Sequence, residues 1–177
     1  MKKLTSLLIF VGLAFNVSGQ EEPKNLKEAM DGVKVHWLIG DWERKSSDGT
    51  TFVVSFKWAV KDGVVSLQVS RDGETTNQGV IGFDSASGKV VGKTMSKRGN
   101  SDSEWVVIEG KLFEVVKGKW KNPEGEITPF SFARSHRKVD ENTMEATTHK
   151  VNDAGEVGEV AERDGVKRIS KWNRKKP

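Results

Sequence analysis

The sequence predicts an all-β protein: a single antiparallel up-and-down β-barrel of about ten strands behind one short N-terminal helix. Two observations carry this. Valine, threonine and aromatic residues recur in short runs between residues 41 and 173, each bounded by turn-forming residues. The turns themselves are tight, because Asp62-Gly63, Asp72-Gly73 and Glu109-Gly110 supply the positive φ that short hairpins require. A third consideration turns a meander into a barrel. An open sheet of this many strands leaves two long edges that template aggregation, and closure removes both.

From the N-terminus, Met1-Lys2-Lys3 precedes an apolar run from Leu4 to Phe15, and Val17-Ser18-Gly19 follows. A positive start, a short apolar stretch and small or apolar residues at positions −3 and −1 describe a signal peptide cleaved after Gly19. The run is shorter than the ~20 residues that span a bilayer. A lipid-anchored form would need a cysteine, which the chain lacks. Residues 1–19 are therefore read as a leader, 20–35 as an extension carrying the helix and 36–177 as the barrel, with the product secreted or periplasmic. Pro23 near the start and Gly32 after the end bracket the helix, and Leu26, Ala29 and Met30 form its apolar stripe. Strands are expected near 41–47, 51–60, 64–71, 75–83, 89–95, 103–108, 111–121, 126–138, 143–151 and 166–173. Asn152 to Gly165 reads as a long loop before the last of them, either a lid or a mobile segment.

Alternation assigns the inner faces. Phe52, Val54, Phe56, Trp58 and Val60 share one side of their strand. A turn at Asp62-Gly63 sets Val60 against Val65, Trp58 against Leu67 and Phe56 against Val69, apolar on apolar throughout. Carried across Asp72-Gly73, the same parity brings Thr76, Gln78 and Val80 inward. The inner face then turns polar, either because the barrel holds an open lumen or because these residues lie near its open end. Phe130, Phe132, Arg134 and His136 alternate on one face of a later strand, and the turn from Asn122 to Gly125 aligns Phe132 with Val115.

The length of 177 residues suits one domain able to build its own core. Without cysteine, thiol catalysis, thiolate metal sites and iron–sulfur clusters are excluded. Loss of Lys2 and Lys3 with the leader lowers the formal charge from +4 to +2. The remaining basic residues are interleaved with acids, a solvated surface and not a nucleic-acid footprint. The cluster from Lys167 to Lys176 reads as a solvated final strand or a contact for an anionic partner. Nothing after the leader is apolar enough for stable membrane insertion.

The segment His36-Trp37-Leu38-Ile39-Gly40-Asp41-Trp42-Glu43 places Gly-x-Trp at the first strand, behind a short helix. It resembles the calycin group, the lipocalins and fatty-acid-binding proteins, and is most similar to small exported bacterial lipocalin-like domains opening with Leu-(Val/Ile)-Gly-x-Trp. Residues Gly79-Val80-Ile81-Gly82-Phe83-Asp84-Ser85-Ala86-Ser87-Gly88-Lys89 are similar to their mid-chain Ile-Gly-(Trp/Phe)-Asp turn. The resemblance covers most of residues 36–172 and implies a calycin-like barrel. It implies that Gly40 allows close backbone approach at the barrel base and that Trp42 plugs that end, under an arginine from the last strand. Arg168 and Arg174 share the parity of Trp172, and either meets that requirement. Glu43-Arg44-Lys45 departs from the further Gly-x-Gly of haem-binding relatives of nitrobindin type, so no haem ligand is implied and no cofactor is expected.

The chain holds no Gly-x-Ser-x-Gly, no phosphate-binding glycine loop and no His-Glu-x-x-His, and a catalytic role is not expected. His36, His136 and His149 are too far apart to share a metal and read as solvent-facing. The six tryptophans, one or two per hairpin, read as core filling; a carbohydrate-stacking surface would need several exposed side by side. The expected function is to bind a small apolar or amphipathic molecule. Phe56, Trp58, Leu67, Gln78 and Phe132 are its candidate walls, and Arg134 is a polar anchor for an anionic group unless it sits at the strand's solvated end. The alternative is a filled barrel acting as a non-catalytic interaction or structural module of the cell envelope.

Overall fold

A computed structural model describes residues 23–176, so the leader expected over residues 1–19 lies outside the described residues. Helix α1 (Leu26–Gly32) is started by Asn25, whose side chain accepts the Glu28 N–H at 2.9 Å. Its expected stripe of Leu26, Ala29 and Met30 is buried. A 3₁₀ turn over His36–Leu38 then delivers the chain to the first strand.

The strands are β1 (Gly40–Lys45), β2 (Thr51–Val60), β3 (Val64–Arg71), β4 (Glu74–Asp84), β5 (Lys89–Ser96), β6 (Gly99–Ile108), β7 (Lys111–Lys121), β8 (Ile127–Lys138) and β9 (Thr143–Val151). They are followed by the short β10 (Val157–Val160), β11 (Glu162–Arg163) and β12 (Val166–Lys167), and by β13 (Ile169–Arg174). Antiparallel pairing runs in chain order from β1 to β9, then passes through β13 back to β1. Ten strands thus close into one antiparallel barrel, compatible with a calycin-like fold. The segment expected to be a loop, 152–165, carries structure of its own. In it β10 pairs with the upper part of β9, and β11 and β12 form a small exposed hairpin.

Three registers differ from expectation, each at a turn or bulge. The β2–β3 connection is a three-residue loop with Val60 opposite Val64, and a bulge follows, so Phe56 faces Leu67 and Trp58 faces Val65. For Phe56 and Trp58 the shift is by two residues, which preserves their inward face, whereas Val60 beyond the bulge is exposed and not part of the inner face. Asp72-Gly73 does form the tight turn, but a bulge between Val69 and Ser70 flips the parity of β4. Asn77, Gly79 and Ile81 therefore share the inner side with Val69, Leu67 and Val65, while Thr76, Gln78 and Val80 are exposed. The β7–β8 connection has five residues, 122–126, because the Asn122 carboxamide accepts the Glu126 N–H at 2.8 Å and draws Glu126 into the turn. Phe132 consequently faces Val116, not Val115.

One end of the barrel is sealed. Trp42 is fully buried and donates its Nε1–H to the Leu38 carbonyl at 2.9 Å. Arg174 of β13 lies over its ring at 4.2 Å and donates to the carbonyls of Ile39 (3.0 Å), Trp37 (2.9 Å) and Glu141 (3.2 Å). Arg174 is thus the arginine at the base, and Arg168 is not. Gly40, at φ +135°, is required there because a β-carbon would run into the Arg174 guanidinium. Helix α1, Phe56, Val65, Ile81, Trp105 and Met144 fill this end around Trp42, leaving only about 40 Å³ between α1 and the strands.

Removing the Arg174 side chain strands three carbonyls that it now satisfies. Arg174→Ala is expected to lower unfolding free energy by about 2–4 kcal/mol in urea titrations, whereas Arg168→Ala costs less than about 1 kcal/mol. Equal effects of the two substitutions would contradict the assignment.

Candidate functional site

Above the sealed end, the inner strand faces enclose a cavity of about 490 Å³. Its apolar wall comes from Phe52, Val54, Leu67, Val69, Val116, Phe130 and Phe132, with Phe130 and Phe132 stacked at 6.0 Å. Asn77, Thr94 and Ser101 make the opposite strands polar, as an open lumen requires. Of the sequence-derived wall residues, Phe56, Leu67, Phe132 and Arg134 line this cavity. Trp58 points inward but is half-buried in the closed-end core, and exposed Gln78 faces away from the lumen as a result of the β4 bulge. Asn77 takes the place expected of Gln78.

The charges sit on one side. Register pairs Glu114 with Arg134 and Arg134 with Thr148, and the Thr148 N–H donates to the Arg168 carbonyl at 2.9 Å. Glu114, Arg134, Thr148 and Arg168 thus form one row across β7, β8, β9 and the residue just before β13. Arg44 joins them from β1, its guanidinium 4.4 Å from the Phe52 ring centroid and 5.0 Å from that of Trp172. All five side chains line the cavity. Arg134 donates to Glu114 at 3.3 Å, while the Nε of Arg44 is buried without a partner. Burial, with Arg134 and then Arg168 nearby, holds the Arg44 guanidinium below its ordinary value.

At the floor, His136 stacks on Trp105 with centroids 5.4 Å apart and ring planes 21° from parallel. It is only 5% exposed, and neither ring nitrogen has a hydrogen-bond partner; Glu114 Oε2 lies 3.9 Å from Nε2, too long for one. Burial pushes the His136 pKa down, and nearby Glu114 offsets this only in part, leaving the ring neutral near pH 7. Burial raises the Glu114 pKa, but the polar His136 ring at 3.9 Å and the Arg134 guanidinium at 3.3 Å together outweigh it and hold it below its ordinary value. Buried His136 is therefore a correction to the solvent-facing reading. His149 does face outward, with Nε2 3.0 Å from Ser135 Oγ, and half-exposed His36 pairs with Asp31 at 2.5 Å. Among the described residues, no group of three or more His, Asp or Glu is placed to hold a metal, and no helix is long and apolar enough to cross a membrane.

Glu114, Arg44 and Arg168 carry the site's charge together with Arg134, and of these sequence reasoning assigned only Arg134 to it. Glu114 was hidden by the one-residue difference at the Asn122 turn, which put Phe113 opposite Arg134. The available signal was an acid interrupting the apolar stripe Leu112–Glu114–Val116. Searched against protein-family models and curated proteins, the chain matches none.

The buried pair links pH to stability with a definite sign. Unfolding frees His136 to take up a proton below about pH 6.5, and Glu114 below about pH 4.5; the folded state binds fewer in both windows, so acidification destabilises. The wild-type melting temperature should fall between about pH 7 and pH 5, and His136→Phe should flatten that part of the curve. Identical slopes in the two proteins would show that His136 titrates alike in both states.

Proposed function

We propose that the protein is an exported, lipocalin-like carrier that binds a small amphipathic anion inside the barrel. The observation that supports this most is the charge of the lumen: three arginines, Arg44, Arg134 and Arg168, face one carboxylate, Glu114. Arg44 is half-buried with its Nε unpartnered, so its charge is costly unless an anion balances it, and guanidinium forks suit a carboxylate or a similar oxyanion. Arg134 is already engaged by Glu114, so the head group rests chiefly on Arg44 and Arg168, with Thr148 beside Arg168 on the side of Arg134. The tail lies along Phe130, Phe132, Leu67 and Val69. A cavity of about 490 Å³ is in the range of small-molecule sites and supports this reading over a filled interaction module.

In this reading the Met1 to Gly19 leader directs export, and the barrel acts outside the cytoplasm without chemistry of its own. Gly40, Trp42 and Arg174 support the lipocalin-like assignment through the geometry of the sealed base, since they occupy the roles that the resemblance implies.

Decanoate and decanol, which share a tail and differ in the charge of the head, separate the head-group contribution. Calorimetric titration should show decanoate binding at least about tenfold more tightly, with Arg44→Met erasing most of that preference. Equal affinity for acid and alcohol would sink the arginine role.

A further inference from the structure

Resting on that reading, we infer that the bound anion carries a hydroxyl group within a few bonds of its head, and that His136 is the residue that reads it. The premise is geometric. His136 is 5% exposed, lines the cavity, and has two ring nitrogens without partners. Its ring is held over Trp105 at 5.4 Å, so it cannot turn to solvent without breaking that stack. A buried imidazole with both hydrogen bonds unmade is costly, and the ring lines the cavity that the ligand is proposed to fill.

The neighbouring charges select the partner. An anionic group against His136 would also meet the Glu114 carboxylate, whose Oε2 is 3.9 Å from Nε2. A cationic group would be repelled by Arg134, which already takes up that same carboxylate oxygen at 3.3 Å and acts directly on His136. A neutral group remains. Neutral imidazole presents one N–H and one lone pair, and a hydroxyl can donate to the lone pair or accept from the N–H, whichever tautomer is present. A ketone or ether oxygen could only accept.

Spacing fixes where on the ligand this hydroxyl lies. Arg134 and His136 are two residues apart on the same face of β8, with Cα atoms about 7 Å apart, and Arg168, which takes the head group, lies two strands along the row of Arg134 and reaches back with a long side chain. Side chains converging from these positions bring the head-group and hydroxyl subsites within one short polar end. Phe130 and Phe132 lie towards the mouth from them and receive the tail. The ligand class is therefore a hydroxy acid, with 3-hydroxydecanoate as a representative.

The test compares decanoate with each enantiomer of 3-hydroxydecanoate by calorimetry on the wild-type chain and on His136→Phe, which keeps an aromatic ring over Trp105. One enantiomer should bind the wild type about tenfold more tightly than decanoate, the worth of one net hydrogen bond. The ratio should fall to near one in the variant. Equal wild-type affinity for all three acids overturns the inference while leaving an anion-binding lumen intact. Failure of every acid to bind overturns both. A preference that persists in a folded His136→Phe assigns the hydroxyl elsewhere and overturns the role of His136. Should that variant not fold, the wild-type preference and its dependence on enantiomer still decide, because a mere gain in polarity does not distinguish mirror images.

Discussion

The Arg174 guanidinium ties the last strand of the barrel to the segment that precedes the first. It covers the Trp42 ring and satisfies the Trp37 and Ile39 carbonyls, in a chain that reaches those residues only after crossing every other strand. Closure of the barrel and sealing of its base are therefore one event. β13 lying beside β1 brings Arg174 to its carbonyls, and α1 covers the base over Trp42. Gly40 is the local concession, giving up its side chain and adopting a positive φ so that the guanidinium can enter.

Sealing one end concentrates the apolar residues there and leaves the opposite half of the barrel without enough of them to fill it. Tryptophan, leucine and methionine crowd the base, whereas the upper layers present serine, threonine, asparagine and glycine from β4 to β6. Those small and polar residues are what makes a lumen. Against them the wall from β8 to β1 places Arg134, Arg168 and Arg44, with Arg44 stacked between Phe52 and Trp172 so that its charge is held and only partly hydrated. Glu114 neutralises one of the three. In the proposed function the remaining positive charge sets the head-group preference, and the neutral His136 at the floor refines it.

Much of the fold was legible because hairpin turns and alternation are local signals. Asp62, Asp72 and Glu109 marked turns where the backbone does adopt positive φ, and the end of β2, both ends of β3 and the start of β7 follow from them. β6 began earlier than expected because Gly99 to Asp102 are polar and carry no apolar alternation, yet pair fully with β5 and β7. The site was less legible, for a physical reason. A single bulge reverses every side chain beyond it, and one extra residue in a turn moves each cross-strand pair by one. The bulge at Val69–Ser70 turned Gln78 outward, and Glu126 in the Asn122 turn brought Glu114 opposite Arg134. Neither is signalled in the sequence as strongly as an Asp-Gly turn. The choice between Arg168 and Arg174 likewise depended on three-dimensional proximity to the Trp37 and Ile39 carbonyls, which parity along β13 does not encode.

That the cationic lumen is balanced by a bound anion is most directly tested by native mass spectrometry of the mature protein, purified from its own host without detergent. The expected spectrum shows a discrete excess of roughly a few hundred daltons, the size of molecule such a cavity holds, and the excess disappears on denaturation. Extraction of the denatured sample should yield an organic acid in stoichiometric amount. A mass equal to that of the bare chain, from cells grown with abundant amphipathic acids, would contradict it and point to a barrel whose arginines serve contacts other than a carried ligand.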